Sequence, residues 1–395
     1  MIKAVLLDLD NTLIQNNDHA FTREFLRLAN RHFRKRLGCD NFTPIINTAL
    51  RTTGSNHHIP SKTNTGLIID TIALMMGHNP DEARSALSDF YREVYPELQA
   101  LITPVSGAAE LIADLKQRGY AVVIATNPLY PAEAVYSRLK WGGLVEDPNY
   151  YSFITSADNM HFSKPNPAYY AEIIGNIGLE PDEVIVVGDS MRNDIQSASA
   201  LGIHTFHITG ESGNNKNNGN LQDFHDKMTG CKWLHSLLPH QQLPEMIEPQ
   251  LLGNIGAFFN LVDKITADSW NQHPDPNEWS PLQIVVHLLE SEDNVERPRL
   301  EMILAQDSPF ITVHKNPLGP EQFICAGEGI EKAEQFTQSR YRTIQFLRTL
   351  KPDDWYRPAR HSIFGPTDLL EMVYFTAQHD RLHLHQLNHT LCNCP

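Results

Sequence analysis

The chain has few cysteines, a deficit of positive charge and no long run of apolar residues. Five cysteines, an odd number, argue against a disulfide framework and predict a reducing, cytoplasmic location. Aspartate and glutamate number 47 against 32 lysines and arginines, and the formal net charge of −15 argues against nucleic acid or an anionic membrane as partner. No apolar run could span a bilayer, and the first apolar run begins too close to Met1 for a signal peptide.

The sequence does contain short apolar runs that end in reactive polar side chains. Residues 4–7, 122–125 and 184–187 form three such runs. Runs of this length predict parallel strands buried on both faces, and ligand sites in such sheets lie at the carboxyl ends of the strands. The polar residues that follow the runs, together with one lysine in a proline-flanked loop, are Asp8, Asp10, Thr126, Asn127, Lys164, Asp189 and Asp194.

These side chains match the needs of phosphoryl transfer. Carboxylates bind Mg²⁺, hydroxyl and backbone N–H groups bind phosphate, and a lysine balances negative charge. Four motifs occur in order: DLDNT at residues 8–12, Thr126 at a strand end, Lys164, and GDSMRND at residues 188–194. In this order they resemble the haloacid dehalogenase-like hydrolase superfamily. The resemblance covers roughly residues 1–240 and implies an α/β Rossmann-like core with an inserted all-α cap.

The resemblance assigns the chemistry to the first motif. Asp8 would be the nucleophile that forms an aspartyl-phosphate, with a low pKa that leaves it already ionised. Asp10 would be the general acid for the leaving group and then the base for water, and its backbone carbonyl would reach the metal. The dehalogenase branch lacks a carboxylate at the position of Asp10. The resemblance therefore implies hydrolysis of a small phosphomonoester.

The other motifs would bind the metal and the phosphate. The resemblance makes Asp189 a direct Mg²⁺ ligand, completing a metal set with Asp8, Asp10 and Asp194. Asp194 would bind Mg²⁺ through water or orient Lys164. Thr126 and the backbone N–H of Asn127 would hold the phosphoryl oxygens, and Lys164 would neutralise charge on the nucleophile and the phosphate.

Helical periodicity from about residue 15 to residue 100 predicts the cap. The core would then comprise residues 1–14 and 101–240, and the cap would close over the site and exclude water. A basic cluster on the first cap helix, residues 31–36, is interpreted as a solvated face in preference to a substrate contact. For Arg51, His57 and His58 of the cap, substrate contact and surface exposure both remain open.

A proline-punctuated linker at residues 241–248 separates a second domain, residues 249–395. Its periodicity predicts a four-helix bundle with helices at about 250–267, 281–305, 329–349 and 367–390. His379 and His383 lie four residues apart and share one face of the last helix, whereas His385 and His389 point elsewhere. Glu292 and Arg297 are interpreted as a helix-surface ion pair rather than as lining of a cavity, and Trp279 as a core anchor.

The segments WSPLQIVVHLLESE and HDRLHLHQL resemble the DinB-like bundle family. That resemblance implies that His287, His379 and His383 converge on a transition metal, and three neutral imidazoles suit Zn²⁺ or Ni²⁺. It also implies a homodimer formed through the bundle.

The sequence thus predicts a cytoplasmic, Mg²⁺-dependent phosphatase fused to a metal-binding bundle, acting on a small phosphorylated molecule. Two alternatives remain open. The bundle could carry the main activity as a thiol-dependent transferase or isomerase, or the protein could be a non-catalytic binding or regulatory protein.

Overall fold

A computed structural model of the chain describes residues 1–54, 62–211, 216–230, 232–312 and 329–393. The chain forms two compact units. Unit 1 comprises Met1–Ile173 and Pro181–His240, and unit 2 comprises Ile174–Glu180 and Gln241–Pro395. None of the described helices is long and apolar enough to cross a membrane.

Unit 1 is organised around a central sheet. Its strands, as far as the described residues show them, are β1 (Ala4–Leu7), β2 (Ile14–Asn16), β3 (Ile102–Pro104), β4 (Ala121–Ile124), β5 (Phe153–Ile154), β6 (Val184–Gly188), β7 (His204–Ile208) and β8 (Asn218–Gly219). Six of them form one parallel sheet in the order β5–β4–β1–β6–β7–β8, and β2 pairs with β3 in an antiparallel ribbon. All four residues of β1 are buried, as expected for a central parallel strand covered on both faces. The small strands β5 and β8 have too few residues to show any periodicity in the sequence.

The cap is inserted between β2 and β3. Its helices are α1 (Asp18–Leu37), α2 (Thr43–Gly54), α3 (Asn64–Met76) and α4 (Pro80–Glu93), followed by a 3₁₀ helix at Tyr95–Leu101. Asn79 caps α4 by accepting from the backbone N–H of Glu82, and Pro80 occupies the first turn, where its missing N–H is harmless. The cap buries aromatic rings, with Phe33 stacked on Phe42 at 3.7 Å between ring centroids.

The remaining helices of the first region flank the sheet. They are α5 (Ala108–Gln117), α6 (Ala132–Trp141), α8 (Ser197–Ser199), α9 (Leu221–Thr229) and the first part of α7 (Ala168–Ile177), whose residues from Ile174 onward belong to unit 2. A π-helical segment, Met191–Gln196, connects the end of β6 to α8. The alternation of strands and helices gives the α/β Rossmann-like core that the motifs predicted.

The second region is a helical bundle. Its helices are α10 (Ile247–Val262), α11 (Pro281–Ser291), α12 (Arg297–Ala305), α13 (Gly329–Leu347) and α14 (Leu369–Asn393). Ser280 and Gln283 form a reciprocal capping box at the start of α11. Helix α10 begins at Ile247, inside the stretch predicted as linker. Three short strands, β9 (Phe310–Ile311), β10 (Pro358–His361) and β11 (Gly365–Asp368), form a small sheet that the helical periodicity did not predict.

The helix predicted at 281–305 is interrupted. A π-helical segment, Glu292–Glu296, separates α11 from α12. Pro298 lies in the first turn of α12 and has no N–H to donate to the preceding turn, so a continuous α-helical hydrogen-bond ladder is impossible there.

Candidate active site and histidine cluster

The first site lies at the carboxyl ends of three neighbouring strands. Leu7 of β1 is in register with Ile124 of β4 and Val187 of β6, so these strands end at the same level. The backbone N–H of Asp8 donates to the carbonyl of Val187 at 2.9 Å, which continues the ladder one residue beyond the strand. Register therefore brings the residues after each apolar run to one edge of the sheet.

Lys164 connects two buried carboxylates at this edge. Its ammonium nitrogen Nζ donates to Asp8 Oδ1 at 2.7 Å and to Asp194 Oδ1 at 2.6 Å. Thr12 Oγ1 donates to the other oxygen of Asp8 at 3.1 Å. All of these side chains are buried, and the two carboxylates hold the pKa of Lys164 well above its ordinary value against the effect of burial. Lys164 therefore keeps its positive charge beside Asp8.

Asp194 is held in place by its own set of donors. Its Oδ2 accepts the backbone N–H of Ser190 at 3.0 Å, and its Oδ1 accepts the Tyr170 hydroxyl at 3.0 Å. A Cβ atom at Gly188 would lie 2.4 Å from this carboxyl group, so the close approach requires glycine. Two roles were predicted for Asp194, binding Mg²⁺ through water and orienting Lys164. The hydrogen bond from Lys164 to Asp194 matches the second role.

Three carboxylates form a cluster suited to a hard cation. Asp8, Asp189 and Asp194 each offer an oxygen, and these oxygens lie within 4.8 Å of one another. Burial raises the pKa of Asp189 to about 6, and the neighbouring Asp194 acts in the same direction. Carboxylate oxygens are the ligands that Mg²⁺ prefers. One lysine does not balance the negative charge of three carboxylates, so the cluster fits Mg²⁺.

The electrostatics of Asp8 differ from the sequence prediction. Burial is the largest effect and raises the pKa of Asp8; Lys164 opposes it, and the carboxylates of Asp194 and Asp10 add to it. The predicted low pKa is therefore wrong for the site without a cation, because desolvation outweighs one lysine. A divalent cation beside Asp8 would favour the ionised carboxylate.

Asp10 has a partner that the motifs did not identify. Its Oδ1 accepts a hydrogen bond from the buried Arg138 and another from Asn16 Nδ2 at 3.4 Å. Arg138 lies on α6 among Ala134, Val135 and Leu139, which are also buried. The sequence signal that could have indicated this contact is an arginine among the apolar residues of a helix face. A buried arginine needs an acidic partner.

The second motif is tied to the lysine loop. Thr126 is buried, and its carbonyl accepts hydrogen bonds from Thr155 Oγ1 at 2.7 Å and from the Tyr169 hydroxyl at 2.8 Å. The side-chain Oδ1 of Asn127 accepts the backbone N–H of Lys164 at 3.2 Å. The side chain of Asn127 thus holds the lysine loop, a contact separate from the phosphate-binding role predicted for its backbone N–H.

The basic cluster of the cap faces solvent. Arg31, Arg34 and Arg36 form surface ion pairs with Glu97, Asp40 and Asp89. This arrangement agrees with the interpretation of residues 31–36 as a solvated helix face. Arg51 is exposed and donates to Thr48, while His57 and His58 lie outside the described residues.

The second site is a histidine cluster in the bundle. His287 Nε2 lies 3.2 Å from His379 Nε2, and His383 Nε2 lies 3.1 Å from the same atom. Burial is the main cause that lowers the pKa of His287 and His379 to about 3, so both rings are neutral at pH 7. The structure therefore brings the three predicted histidines together as neutral imidazoles, whereas His385 and His389 are exposed.

Two residues beside this cluster were given structural roles by the sequence, and only one of those roles is confirmed. Trp279 packs against the hydrophobic core of the bundle, as predicted. Its ring also borders the cluster, at 4.9 Å from the His287 ring between centroids and parallel to the His383 ring. Glu292 is fully buried and pairs with the buried Arg340, so its predicted place in a helix-surface ion pair is wrong. The π-helical segment turns Glu292 inward, and Arg297 pairs instead with Asp293.

Two family models match the chain. The fold and the carboxylate cluster place unit 1 among α/β proteins with an inserted cap and an acidic strand edge. The model of the haloacid dehalogenase-like hydrolase family matches residues 2–202, just over half of the chain, and the chain belongs to that family. Residues 250–387 match the model of the DinB superfamily.

Curated relatives match the first region. A phosphoglycolate phosphatase from Pectobacterium atrosepticum is 32% identical over 128 residues, which are 32% of this chain and 51% of that protein. A validoxylamine A 7'-phosphate phosphatase from Streptomyces hygroscopicus subsp. limoneus is 29% identical over 211 residues, 53% of this chain and 86% of that protein. The chain spans about half the length of the phosphoglycolate phosphatase. A crystal structure of 2-haloacid dehalogenase from Pseudomonas syringae aligns with 58% of this chain and 99% of that chain, at 18% identity and a TM-score of 0.41.

Proposed function

We propose that the protein is a Mg²⁺-dependent phosphatase that hydrolyses a small phosphomonoester through Asp8. The observation that carries the proposal is the position of Lys164, whose Nζ lies 2.7 Å from Asp8 and 2.6 Å from Asp194 inside a buried carboxylate cluster. Such an arrangement prepares a nucleophilic carboxylate to receive an anionic group. Relatives named for phosphoglycolate and for validoxylamine A 7'-phosphate hydrolysis support the same reaction type.

In the first step, Asp8 attacks phosphorus and the bond to the leaving oxygen breaks. Asp10 gives its proton to that oxygen, and the phosphoryl group remains on Asp8. Lys164 and the hydroxyl of Thr126 balance the charge on the phosphoryl oxygens, together with the backbone N–H of Asn127. Mg²⁺, held by Asp8, Asp189, Asp194 and the carbonyl of Asp10, would supply positive charge beside the nucleophile.

In the second step, Asp10 is ionised and takes a proton from water. The resulting hydroxide oxygen bonds to phosphorus, the bond to Asp8 breaks, and inorganic phosphate leaves. Asp8 and a protonated Asp10 are regenerated, so the cycle balances. The cap, residues 15–100, would exclude bulk water during the first step and select the substrate.

The direct test is phosphate release from a panel of phosphomonoesters with Mg²⁺ and with EDTA. The wild-type protein is compared with Asp8→Asn, and Asp226→Asn serves as an exposed control on α9. We expect turnover that needs Mg²⁺, is lost in Asp8→Asn and is kept in the control. Turnover by a folded Asp8→Asn protein would refute the mechanism, and tight ligand binding without turnover would favour the non-catalytic alternative.

A second candidate function rests on the bundle. The convergence of His287, His379 and His383 supports a bound transition metal, for which we propose Zn²⁺ or Ni²⁺. Three protein ligands leave coordination positions for water or for a thiol, so a thiol-dependent transferase or isomerase reaction is the alternative main activity. Independently of which activity is the main one, we propose a cytoplasmic location for the protein and a homodimer formed through the bundle.

The alternative is tested by thiol-dependent turnover. Glutathione and other low-molecular-weight thiols are supplied with electrophilic acceptors, and the metal-loaded wild type is compared with His287→Ala. Turnover lost in His287→Ala while phosphate release persists would assign an independent reaction to the bundle. The absence of thiol turnover in protein that holds one metal ion per chain would leave the phosphatase as the proposed activity.

A further inference from the structure

A buried arginine holds the side chain of Asp10. Arg138 of α6 is 2% exposed, and its guanidinium forms an ion pair with Asp10 Oδ1. Its central carbon lies 5.1 Å from the centre of the Phe21 ring and 5.3 Å from the centre of the Tyr130 ring. Tyr95 contacts both rings, at 6.2 Å between centroids in each case. The guanidinium is therefore enclosed by aromatic rings, and the acidic partner is Asp10.

We propose that Arg138 is the positioning residue that orients Asp10 for proton transfer, an inference that rests on the proposed phosphatase function. Both hydrogen bonds to the Asp10 carboxylate, from Arg138 and from Asn16, reach Oδ1. No side chain of the described residues donates to Oδ2. Anchoring one oxygen leaves the other to carry the proton. The planar guanidinium is itself held against the Phe21 and Tyr130 rings, a contact that an ammonium group would not reproduce.

The hydrogen bonding of the arginine separates this role from a merely structural one. Arg138 Nε and the hydroxyl of Tyr95 are both buried without a hydrogen-bond partner among the described residues. Buried polar atoms in protein cores are almost always satisfied, and an ion pair retained only for stability would be expected to satisfy them. Arg138 is thus buried with one donor unsatisfied, and its ion-pair partner is the proposed acid–base residue, Asp10.

The aromatic contacts also connect the cap to Asp10. Phe21 lies on α1 of the cap, whereas Tyr130 lies in the core loop that follows Asn127. Arg138 contacts both rings, so its position depends on cap and core together. Through Arg138, the orientation of Asp10 is therefore coupled to the cap, which is proposed to cover the substrate.

Misplacing Asp10 affects the step in which the leaving oxygen departs. When the leaving oxygen departs, the proton on Asp10 passes to it, and the phosphoryl group passes to Asp8. The constant kcat/KM covers only the steps up to this departure. A strongly acidic leaving group needs little protonation, so misplacing Asp10 lowers kcat/KM mainly for esters with poor leaving groups.

The test compares p-nitrophenyl phosphate with phenyl phosphate, which have similar shapes and differ in leaving-group acidity; phenol ionises near pH 10, as tyrosine does. We expect Arg138→Met to lose about tenfold or more in kcat/KM on phenyl phosphate beyond its loss on p-nitrophenyl phosphate. Arg138→Lys keeps the charge and loses the planar geometry, so the difference between its losses on the two esters should lie between that of the wild type and that of Arg138→Met. Arg118→Met, which removes an exposed ion pair with Asp114, is the matched control and should keep the wild-type ratio of the two constants.

Each outcome decides the inference. Equal losses on the two esters in Arg138→Met, or in Arg138→Lys where the methionine variant does not fold, would overturn the positioning role and leave the phosphatase proposal intact. Asp10→Asn should show the same dependence on the leaving group, and the double variant should be no worse than Asp10→Asn alone. If the wild-type protein hydrolyses neither ester nor any member of the phosphomonoester panel, both the proposed function and this inference are overturned.

Discussion

Glu172 and His161 form a buried pair that supports the loop carrying Lys164. His161 Nδ1 lies 2.7 Å from Glu172 Oε1, and the backbone N–H of His161 donates to the same oxygen at 3.0 Å. The N–H of Phe162 donates to the other carboxylate oxygen at 3.1 Å. Helix α7, which bears Glu172, therefore fixes the loop two residues before Lys164.

Replacing Glu172 should weaken both the fold and the reaction. Glu172→Gln puts an amide in place of one acceptor oxygen and leaves a buried N–H group unpaired, so we expect a loss of about 1–3 kcal/mol in the free energy of unfolding. We also expect a lower kcat, because the loop would no longer hold Lys164 beside Asp8. Urea unfolding and phosphate release measure the two effects, with Glu110→Gln on the exposed face of α5 as the control. A variant of wild-type stability would refute the proposed support.

Removing the cation of Lys164 should make stability depend on added metal. Lys164→Met leaves Asp8 and Asp194 buried without their shared positive partner, and breaking a buried pair in this way costs about 3–5 kcal/mol. Mg²⁺ should recover more stability in this variant than in the wild type, because it supplies the missing charge. Thermal unfolding in EDTA and in increasing Mg²⁺ measures the difference. Lys140→Met, an exposed lysine paired with Glu146, should respond to Mg²⁺ as the wild type does.

Asp189 should destabilise the metal-free protein at neutral pH. Its pKa is raised by burial from 3.8 to about 6, so the folded state holds a proton more tightly than the unfolded state. The free energy of unfolding therefore falls as pH rises from about 4 through about 6. In EDTA at pH 7, Asp189→Asn should be about 1 kcal/mol more stable than the wild type, a figure reduced for solvent screening, and this difference should shrink towards pH 4.

Saturating Mg²⁺ should reverse the order of these two proteins, because the ionised carboxylate of Asp189 is the proposed ligand. Denaturant unfolding at several pH values, with EDTA or with Mg²⁺, is the measurement. An Asp189→Asn protein that is less stable than the wild type in EDTA at pH 7 would contradict the prediction. Because both proteins contain the same histidines, the titration of those histidines cancels in the comparison.

His379→Ala should abolish binding of a transition metal by the bundle. Elemental analysis after loading with Zn²⁺ or Ni²⁺ should find about one ion per wild-type chain and none in the variant, while Mg²⁺-dependent phosphate release persists. His385→Ala, on the exposed face of the same helix, is the control. Because the pKa values of His287 and His379 are about 3, affinity at the wild-type site should change little between pH 6 and pH 8. Equal metal content in His379→Ala and the wild type would argue against the site.

Much of the core could be predicted because its signals are local. Each apolar run that forms a central strand ends in its motif, and parallel strands in register bring those ends together, as Leu7, Ile124 and Val187 show. The paired histidines of the last helix follow helical spacing in the same way. Boundaries were less predictable: α10 begins at Ile247 rather than near residue 250, and Pro298 follows a π-helical segment that periodicity does not detect.

Contacts between residues far apart in the chain were not predictable from local patterns. Arg138 and Asp10 are separated by 128 positions, and Arg340 and Glu292 by 48. A charged residue in an apolar stripe shows that a partner must exist, but the identity of that partner depends on how the elements pack. The prediction of a low pKa for Asp8 was wrong for the same reason, since desolvation depends on burial in the assembled core.

The sequence by itself determined the family of the chain, the order of its central strands and cap helices, and which polar residues follow those strands, because motif spacing and hydrophobic periodicity are properties of the linear chain. Only the tertiary structure decided that Lys164 bridges Asp8 and Asp194, that three imidazoles meet within hydrogen-bonding distance, and that Arg138 holds Asp10. Distances, burial and the resulting charge states arise from packing between remote segments, and those quantities decide what the residues can do.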